Sequence, residues 1–144
     1  MNTELQSLLH EVFLKEKRLN VLYHALAEGD SCEETVKNFY VKARTDQDGD
    51  LEMLQAINER YGDGSIEPGI LEKLGETLLQ LTSDGANCER LLRQALDYES
   101  ELIEDYKRSL RFLTADDETR RMINKILTIK LLHKRDVLDK LKMY

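Results

Sequence analysis

Residues that interrupt helices are scarce in this sequence of 144 residues. Pro68 is its single proline, glycine occurs seven times, and tryptophan is absent. Because proline and glycine are the residues least favourable inside helices, long stretches of the chain are free to be helical. The length corresponds to about one domain, and we expect a single domain over residues 1–144.

An excess of positive charge and long apolar runs are also lacking. The formal net charge is −7 and the isoelectric point is near 5.1, which argues against nucleic acid or an anionic membrane as a partner, since both require basic patches. No apolar run approaches the length that spans a bilayer. Residues Met1–Leu5 lack the charged-then-apolar pattern of a secretory signal. We therefore expect a soluble, cytoplasmic protein.

Cysteine is limited to Cys32 and Cys88. The two lie far apart in the sequence and do not have the spacing of metal ligands. We interpret them as two small buried hydrophobic residues in a reducing compartment.

Hydrophobic periodicity predicts four long helices. They cover Glu4–Glu28, Cys32–Arg60, Cys88–Leu113 and Ala115–Met143. The first and last connections are very short, so each pair of helices should form an antiparallel hairpin. The middle connection, Gly62–Asn87, is long, and the apolar pattern after Pro68 predicts a short extra helix there. Two hairpins joined by one long crossover make an all-α, antiparallel four-helix bundle of the ferritin-like kind.

Polar side chains interrupt the apolar seam of every predicted helix. Apolar residues at alternating steps of three and four define these seams, and near each midpoint the pattern is broken. The six polar residues on the seams are Glu16, Gln47, Asp50, Glu99, Lys130 and His133. Since the midpoints of antiparallel helices of similar length meet, we expect these six side chains to form one central layer.

The first and third predicted helices share a repeat. Tyr23 follows Glu16 by seven residues, and Tyr106 follows Glu99 by the same interval. The repeat indicates that the two hairpins are related by duplication. Each tyrosine is interpreted as a core aromatic with a satisfied hydroxyl, with a hydrogen bond to the polar layer as the alternative.

The layer resembles the site of carboxylate-bridged di-metal proteins, in which two helices each supply a Glu and two others each supply a Glu-x-x-His. The stretches Tyr98–Tyr106 and Leu131–His133 carry a further similarity to small bacterial bundles of the ferritin-like superfamily, in a family designated a domain of unknown function. The resemblance implies that Glu16 and Glu99 match the single glutamates and that His133 matches one histidine. Lys130 stands at a glutamate position, and Gln47 and Asp50 stand where Glu and His belong.

Two hypotheses about the layer follow. In the first, Lys130 replaces the metal. Its ammonium pairs with Glu16 and Glu99, and His133 and Gln47 satisfy the remaining lone pairs, because buried carboxylates without a counter-charge are costly. In the second, a residual metal site uses Glu16, Asp50, Glu99 and His133 to hold one Fe, Mn or Zn ion. Lys130 argues against a second ion, because its charge would repel it.

No nucleophile arrangement and no glycine-rich phosphate loop is visible, so we assign no catalytic residue and expect no cofactor under the first hypothesis. The chain is then a non-catalytic interaction or stress-associated protein that acts through its surface and self-associates. Under the second hypothesis it is a metal-binding oxidoreductase or a metal-storage protein. The basic residues of the fourth predicted helix could pair with an acidic face of a partner, such as a second copy of the chain.

Overall fold

The computed structural model describes residues 3–61 and 87–144, and within them it is all-helical and without strands. Helix α1 spans Thr3–Glu28 and α2 spans Glu34–Tyr61. Helix α3 spans Cys88–Leu110 and α4 spans Asp117–Leu141. Within these two described ranges, four helices are therefore present where four long helices were predicted. The predicted extra helix after Pro68 lies outside the described residues.

The helix ends differ from the predicted ones by a few residues. Helix α3 ends at Leu110 because the chain then turns: the amide of Phe112 donates to the carbonyl of Ser109 at 3.1 Å, a bond between residues three apart. Asp116 caps the start of α4, since its Oδ1 accepts a hydrogen bond from the amide of Thr119 at 3.1 Å. These contacts satisfy backbone groups that a helix end leaves open.

Apolar side chains from all four helices form one core. Leu9, Leu54, Leu92 and Ile126 are completely buried examples, one from each helix. Helix α1 packs against both α2 and α3, and α3 packs against α4, whereas the contact between α2 and α4 is much smaller. The predicted inward seams are thus confirmed as the buried faces of the helices. The exceptions are the last predicted seam residues of the second and fourth helices, Tyr61 and Leu141, which are only partly buried.

Cys32 and Cys88 form a disulfide, with their Cα atoms 4.9 Å apart. The interpretation of two separate small hydrophobic residues was wrong, although both residues are buried. The two cysteines are 56 residues apart in the sequence, but the chain before α2 and the first residue of α3 meet at the same end of the molecule. Disulfides persist mainly in oxidising environments, so the cysteines no longer favour a reducing compartment, and the cytoplasmic location stays a prediction.

Within residues 3–61 and 87–144, no helix combines the length and the apolar composition that crossing a bilayer requires.

Candidate functional site: a polar layer inside the bundle

All six polar seam residues lie in the interior of the molecule. Glu16, Gln47, Glu99 and Lys130 are completely buried, Asp50 is 1% exposed and His133 is 4% exposed. The burial of polar groups is unfavourable unless they are paired, so their contacts determine what the layer can do.

Glu16 is the best-satisfied carboxylate of the layer. The Lys130 Nζ lies 3.0 Å from its Oε1 and 3.1 Å from its Oε2. The Gln47 amide donates to Oε2 at 2.9 Å, and the Tyr106 hydroxyl donates to Oε1 at 3.0 Å. The same amide of Gln47 also donates to the main-chain carbonyl of Glu16 at 2.9 Å. One buried cation and two neutral donors thus surround this single carboxylate.

Glu99 is hydrogen-bonded to Tyr23 instead of forming the predicted ion pair with Lys130, and it lies in a second group of contacts. The Tyr23 hydroxyl donates to Glu99 Oε1 and lies 3.4 Å from His133 Nδ1. The other ring nitrogen of His133, Nε2, lies 3.4 Å from Oδ2 of Asp46, whose side chain is 36% exposed. A chain of polar contacts therefore leads from the buried Glu99 through Tyr23 and His133 to the surface at Asp46.

The repeated Glu and Tyr residues bond reciprocally between α1 and α3. Tyr23 of α1 donates to Glu99 of α3, and Tyr106 of α3 donates to Glu16 of α1. The alternative reading of the tyrosines, a hydrogen bond to the polar layer, is therefore confirmed. The two helices thus exchange equivalent contacts.

Three buried carboxylate oxygens in the described residues have no hydrogen-bond partner: both side-chain oxygens of Asp50 and Oε2 of Glu99. Burial raises the pKa of Asp50 to about 7 against the opposing effect of the Lys130 charge. Burial likewise raises the pKa of Glu99 to about 7, although the hydrogen bond from Tyr23 and the charge of Lys130 lower it. Both carboxyls therefore hold protons at a pH where an exposed carboxyl is ionised.

The histidine of the layer is shifted in the opposite sense. Burial lowers the pKa of His133, and the nearby Lys130 charge lowers it further, while Asp46 raises it. Its neutral form is favoured because a buried imidazolium would lie close to an ammonium. Lys130 is consequently the cation that the layer is built around.

Sequence reasoning missed several participants. Asn20 donates to Gln47 Oε1 at 2.9 Å and so orients that amide. Asp46 contacts His133 from its partly exposed position on α2. Tyr40 is fully buried, and its hydroxyl has no partner within the described part of the chain. The spacing of Tyr40 from Val36 and Ala43, four and three residues, could have placed it on the seam.

Asp105 belongs to the buried polar residues too. It is 4% exposed, and its Oδ2 lies 2.7 Å from Lys15 Nζ. This pair joins α1 to α3 at the edge of the core. The long Lys15 side chain reaches it from a neighbouring helix, a contact that periodicity along one helix does not reveal.

The four predicted metal ligands differ in whether their ligating atoms are available to an ion. Among the residues that the structure describes, no three His, Cys, Asp or Glu side chains stand together as a metal-holding group. Both oxygens of Glu16 are engaged by Lys130, so Glu16 could ligate an ion only if Lys130 moved. Asp50 and Glu99 keep free oxygens, and His133 directs its ring nitrogens to Tyr23 and Asp46.

No family model matches the chain, and no curated protein or solved structure is similar to it at a significant level. The resemblance to the ferritin-like superfamily therefore stays a prediction based on the polar layer.

Proposed function

We propose that this chain is a non-catalytic bundle of the ferritin-like kind, in which the Lys130–Glu16 ion pair replaces a di-metal site. In this proposal the helices form two antiparallel hairpins joined by the crossover at residues 62–86. The protein acts through its surface, as an interaction or stress-associated protein.

The order of contacts between α1 and α2 supports the antiparallel hairpin. Gln47 bonds to Glu16, whereas Arg44, earlier in α2, pairs with Glu28, later in α1, at 2.6 Å. The positions of the residues on either side of the crossover support the proposed long connection. Tyr61 bonds to Asp116 at the start of α4, while Cys88 is joined to Cys32 before α2. The crossover must therefore connect points separated by the length of α2.

The observation that carries the functional proposal is the contact of Lys130 with both oxygens of Glu16, with both side chains fully buried. A buried carboxylate needs a counter-charge, and here an amino acid of the chain supplies it. A metal ion at Glu16 would need to displace a fixed ammonium from inside the core, at the cost of leaving that ammonium unpaired.

A residual metal site at Glu16, Asp50, Glu99 and His133 is the second candidate. The unpartnered oxygens of Asp50 and Glu99 favour it, because a cation would satisfy them. This candidate predicts a metal-binding oxidoreductase or a metal-storage protein holding one Fe, Mn or Zn ion. The two candidates differ in the metal content that they predict.

Elemental analysis of protein purified without chelator tests the proposal. The parent chain should contain far less than one Fe, Mn or Zn per molecule. Lys130→Glu should bind metal when it is added, because the substitution removes the competing charge and supplies a carboxylate. The matched control is Lys107→Glu, the same charge change at a lysine of α3 that is 52% exposed, and it should bind none.

Because Lys130→Glu adds a fourth buried carboxylate to Glu16, Asp50 and Glu99 and so opposes folding without metal, Lys130→Met provides a second test, and circular dichroism should monitor both variants. Removing one partner of a buried pair costs about 3–5 kcal/mol, so Lys130→Met should be destabilised by that amount. A stoichiometric metal in the parent would overturn the proposal. So would a Lys130→Met variant as stable as the parent.

A further inference from the structure

Exposed large apolar side chains are concentrated at one place on the molecule. Five of the six in the described residues belong to the C-terminal half of α4 and the residues that follow it. They are Leu131, Leu132, Leu138, Met143 and Tyr144, each exposed by 44–49%. The sixth, Val41, lies by itself on α2. Single exposed apolar residues are ordinary, whereas a cluster of them marks an interaction surface.

Three of the five lie on one outward face of α4, and Met143 and Tyr144 follow its last residue. At 100° per residue, Leu131, Leu132 and Leu138 fall within a sector of about 120° centred on Arg135. This sector is turned away from Lys130 and His133, which point into the core. We call it the α4 outer face, and it also contains Thr128, Asp139 and Lys142.

The charges on the α4 outer face match a copy of itself. Arg135 and Asp139 are four residues apart, with Leu138 between them. If two α4 helices cross antiparallel with their midpoint at position 137, Arg135 of each copy meets Asp139 of the other, and the two Leu138 side chains meet near the axis. Leu131 then faces Met143 of the second copy. A two-fold interface requires such self-complementarity, and a partner of a single sign of charge would satisfy only half of it.

The present partners of these charges are weak ones. Arg135 lies 3.6 Å from Asp136, and Asp139 lies 3.3 Å from Lys142, in pairs whose side chains are 34–78% exposed. Exposed ion pairs contribute little to stability, so their exchange for contacts with a second copy is not opposed. The face also borders a shallow depression towards α3, which Arg135, Leu138, Asp139 and Lys142 line together with Leu141 of α4 and Arg93 and Leu96 of α3.

The chain carries a net charge of −7, so two copies repel each other in general. On the α4 outer face Arg135, Asp139 and Lys142 leave one net positive charge, so two copies of this face repel each other less than two strongly acidic faces do. Copies should therefore meet through this face rather than through acidic ones. We propose that the α4 outer face is an isologous interface through which two copies of this chain associate. The proposal deepens the surface-acting role given above, and association is measured independently of metal content.

Sedimentation equilibrium of the full chain, with light scattering after size exclusion, tests the interface. The parent should form a dimer with a dissociation constant in the micromolar range, since one helix pair buries less area than a standard interface. Leu138→Glu should weaken the dimer at least about tenfold, the equivalent of about 1.4 kcal/mol. Val41→Glu is the matched control, because Val41 is 46% exposed and Leu138 45%, and it should leave the association unchanged.

A charge exchange tests the antiparallel register. Arg135→Asp and Asp139→Arg should each weaken the dimer, because each places like charges opposite each other. The double variant should recover the association, since the pairs are restored in reverse. A parent that remains monomeric at about 1 mM would overturn the proposal. Such a monomer is the expected result if another segment of the chain or another protein covers this face. An equal effect of Val41→Glu, or a double variant no better than the single ones, would also overturn it.

Discussion

Glu16 and Glu99 occupy equivalent positions in α1 and α3, but their surroundings give them different charges. Glu16 is held by Lys130, Gln47 and Tyr106. Glu99 receives only the hydroxyl of Tyr23, and its pKa is raised to about 7 by burial. A single lysine cannot neutralise every carboxylate of the layer, and protonation of the remaining ones supplies the rest of the charge balance.

This difference predicts a pH-dependent effect of Glu99→Gln. The pKa of Glu99 is about 7 in the folded chain and 4.5 without burial. Between these two pH values Glu99 keeps its proton in the folded state but has released it in the unfolded state. The contribution of Glu99 to stability is therefore full below pH 4.5 and is lost as the pH rises to 7. Glutamine does not titrate. Relative to the parent, Glu99→Gln should therefore gain about 2–3 kcal/mol of unfolding free energy between pH 4 and pH 8.

Urea unfolding of both proteins across this range measures the gain. His133, whose lowered pKa makes stability fall as the pH drops below 6.5, contributes equally to both and cancels in the difference. Glu104→Gln on α3, at a side chain that is 69% exposed, should show a difference within about 0.5 kcal/mol at every pH. Parallel curves for Glu99→Gln and the parent would contradict the assignment.

The position of the polar layer could be predicted from the sequence, but the hydrogen-bond and ion-pair partners within it could not. Interrupted seams identified all six polar residues because burial follows helical periodicity. Which donor reaches which carboxylate depends on rotamers and on the relative height of neighbouring helices. The contacts of Asn20, Asp46 and Asp105 with other helices are of this kind, and no pattern along a single helix contains them.

The same limit applies to α2, which continues as a helix through Gly49. The sequence around this glycine predicts a weak point, since glycine lowers helix propensity. The structure shows that a side chain there would be free of contacts, because nothing lies within 4 Å of an added Cβ. Tertiary packing of the remaining residues on either side keeps the helix intact, so propensity alone was a poor guide.

Gly49→Ala should therefore stabilise the protein by about 0.5–1 kcal/mol, because alanine loses less backbone entropy in a helix and meets no neighbour here. Gly29→Ala is the contrasting substitution. Its Cβ would lie 2.6 Å from the carbonyl oxygen of Ala25, where the chain leaves α1. This variant should be destabilised, by about 1 kcal/mol or more. Urea midpoints of the two variants check the prediction, and a shift of both in the same direction would contradict it.

The four helices and their order were predictable because each carries a long, regular seam. The connections between α1 and α2, residues 29–33, and between α3 and α4, residues 111–116, are also short. The disulfide was not predictable. Its two cysteines are separated by 56 residues, and only the packed arrangement brings Cys88 at the start of α3 beside Cys32 before α2. Long-range pairing of this kind is a property of the assembled bundle.

The disulfide closes a loop that contains all of α2 and residues 62–86, and it should therefore stabilise the molecule mainly by restricting the unfolded chain. For a loop of this length the expected contribution is about 2–4 kcal/mol, which corresponds to a decrease in melting temperature of about 10 °C on reduction. The double variant Cys32→Ser and Cys88→Ser should melt near the reduced parent and should not respond to reductant. Thermal unfolding with and without reductant, together with a count of free thiols, measures both effects. If the oxidised and reduced parents melted at the same temperature, the disulfide between the chain before α2 and the first residue of α3 would contribute nothing to stability. Packing of the core alone would then account for the arrangement of these helices.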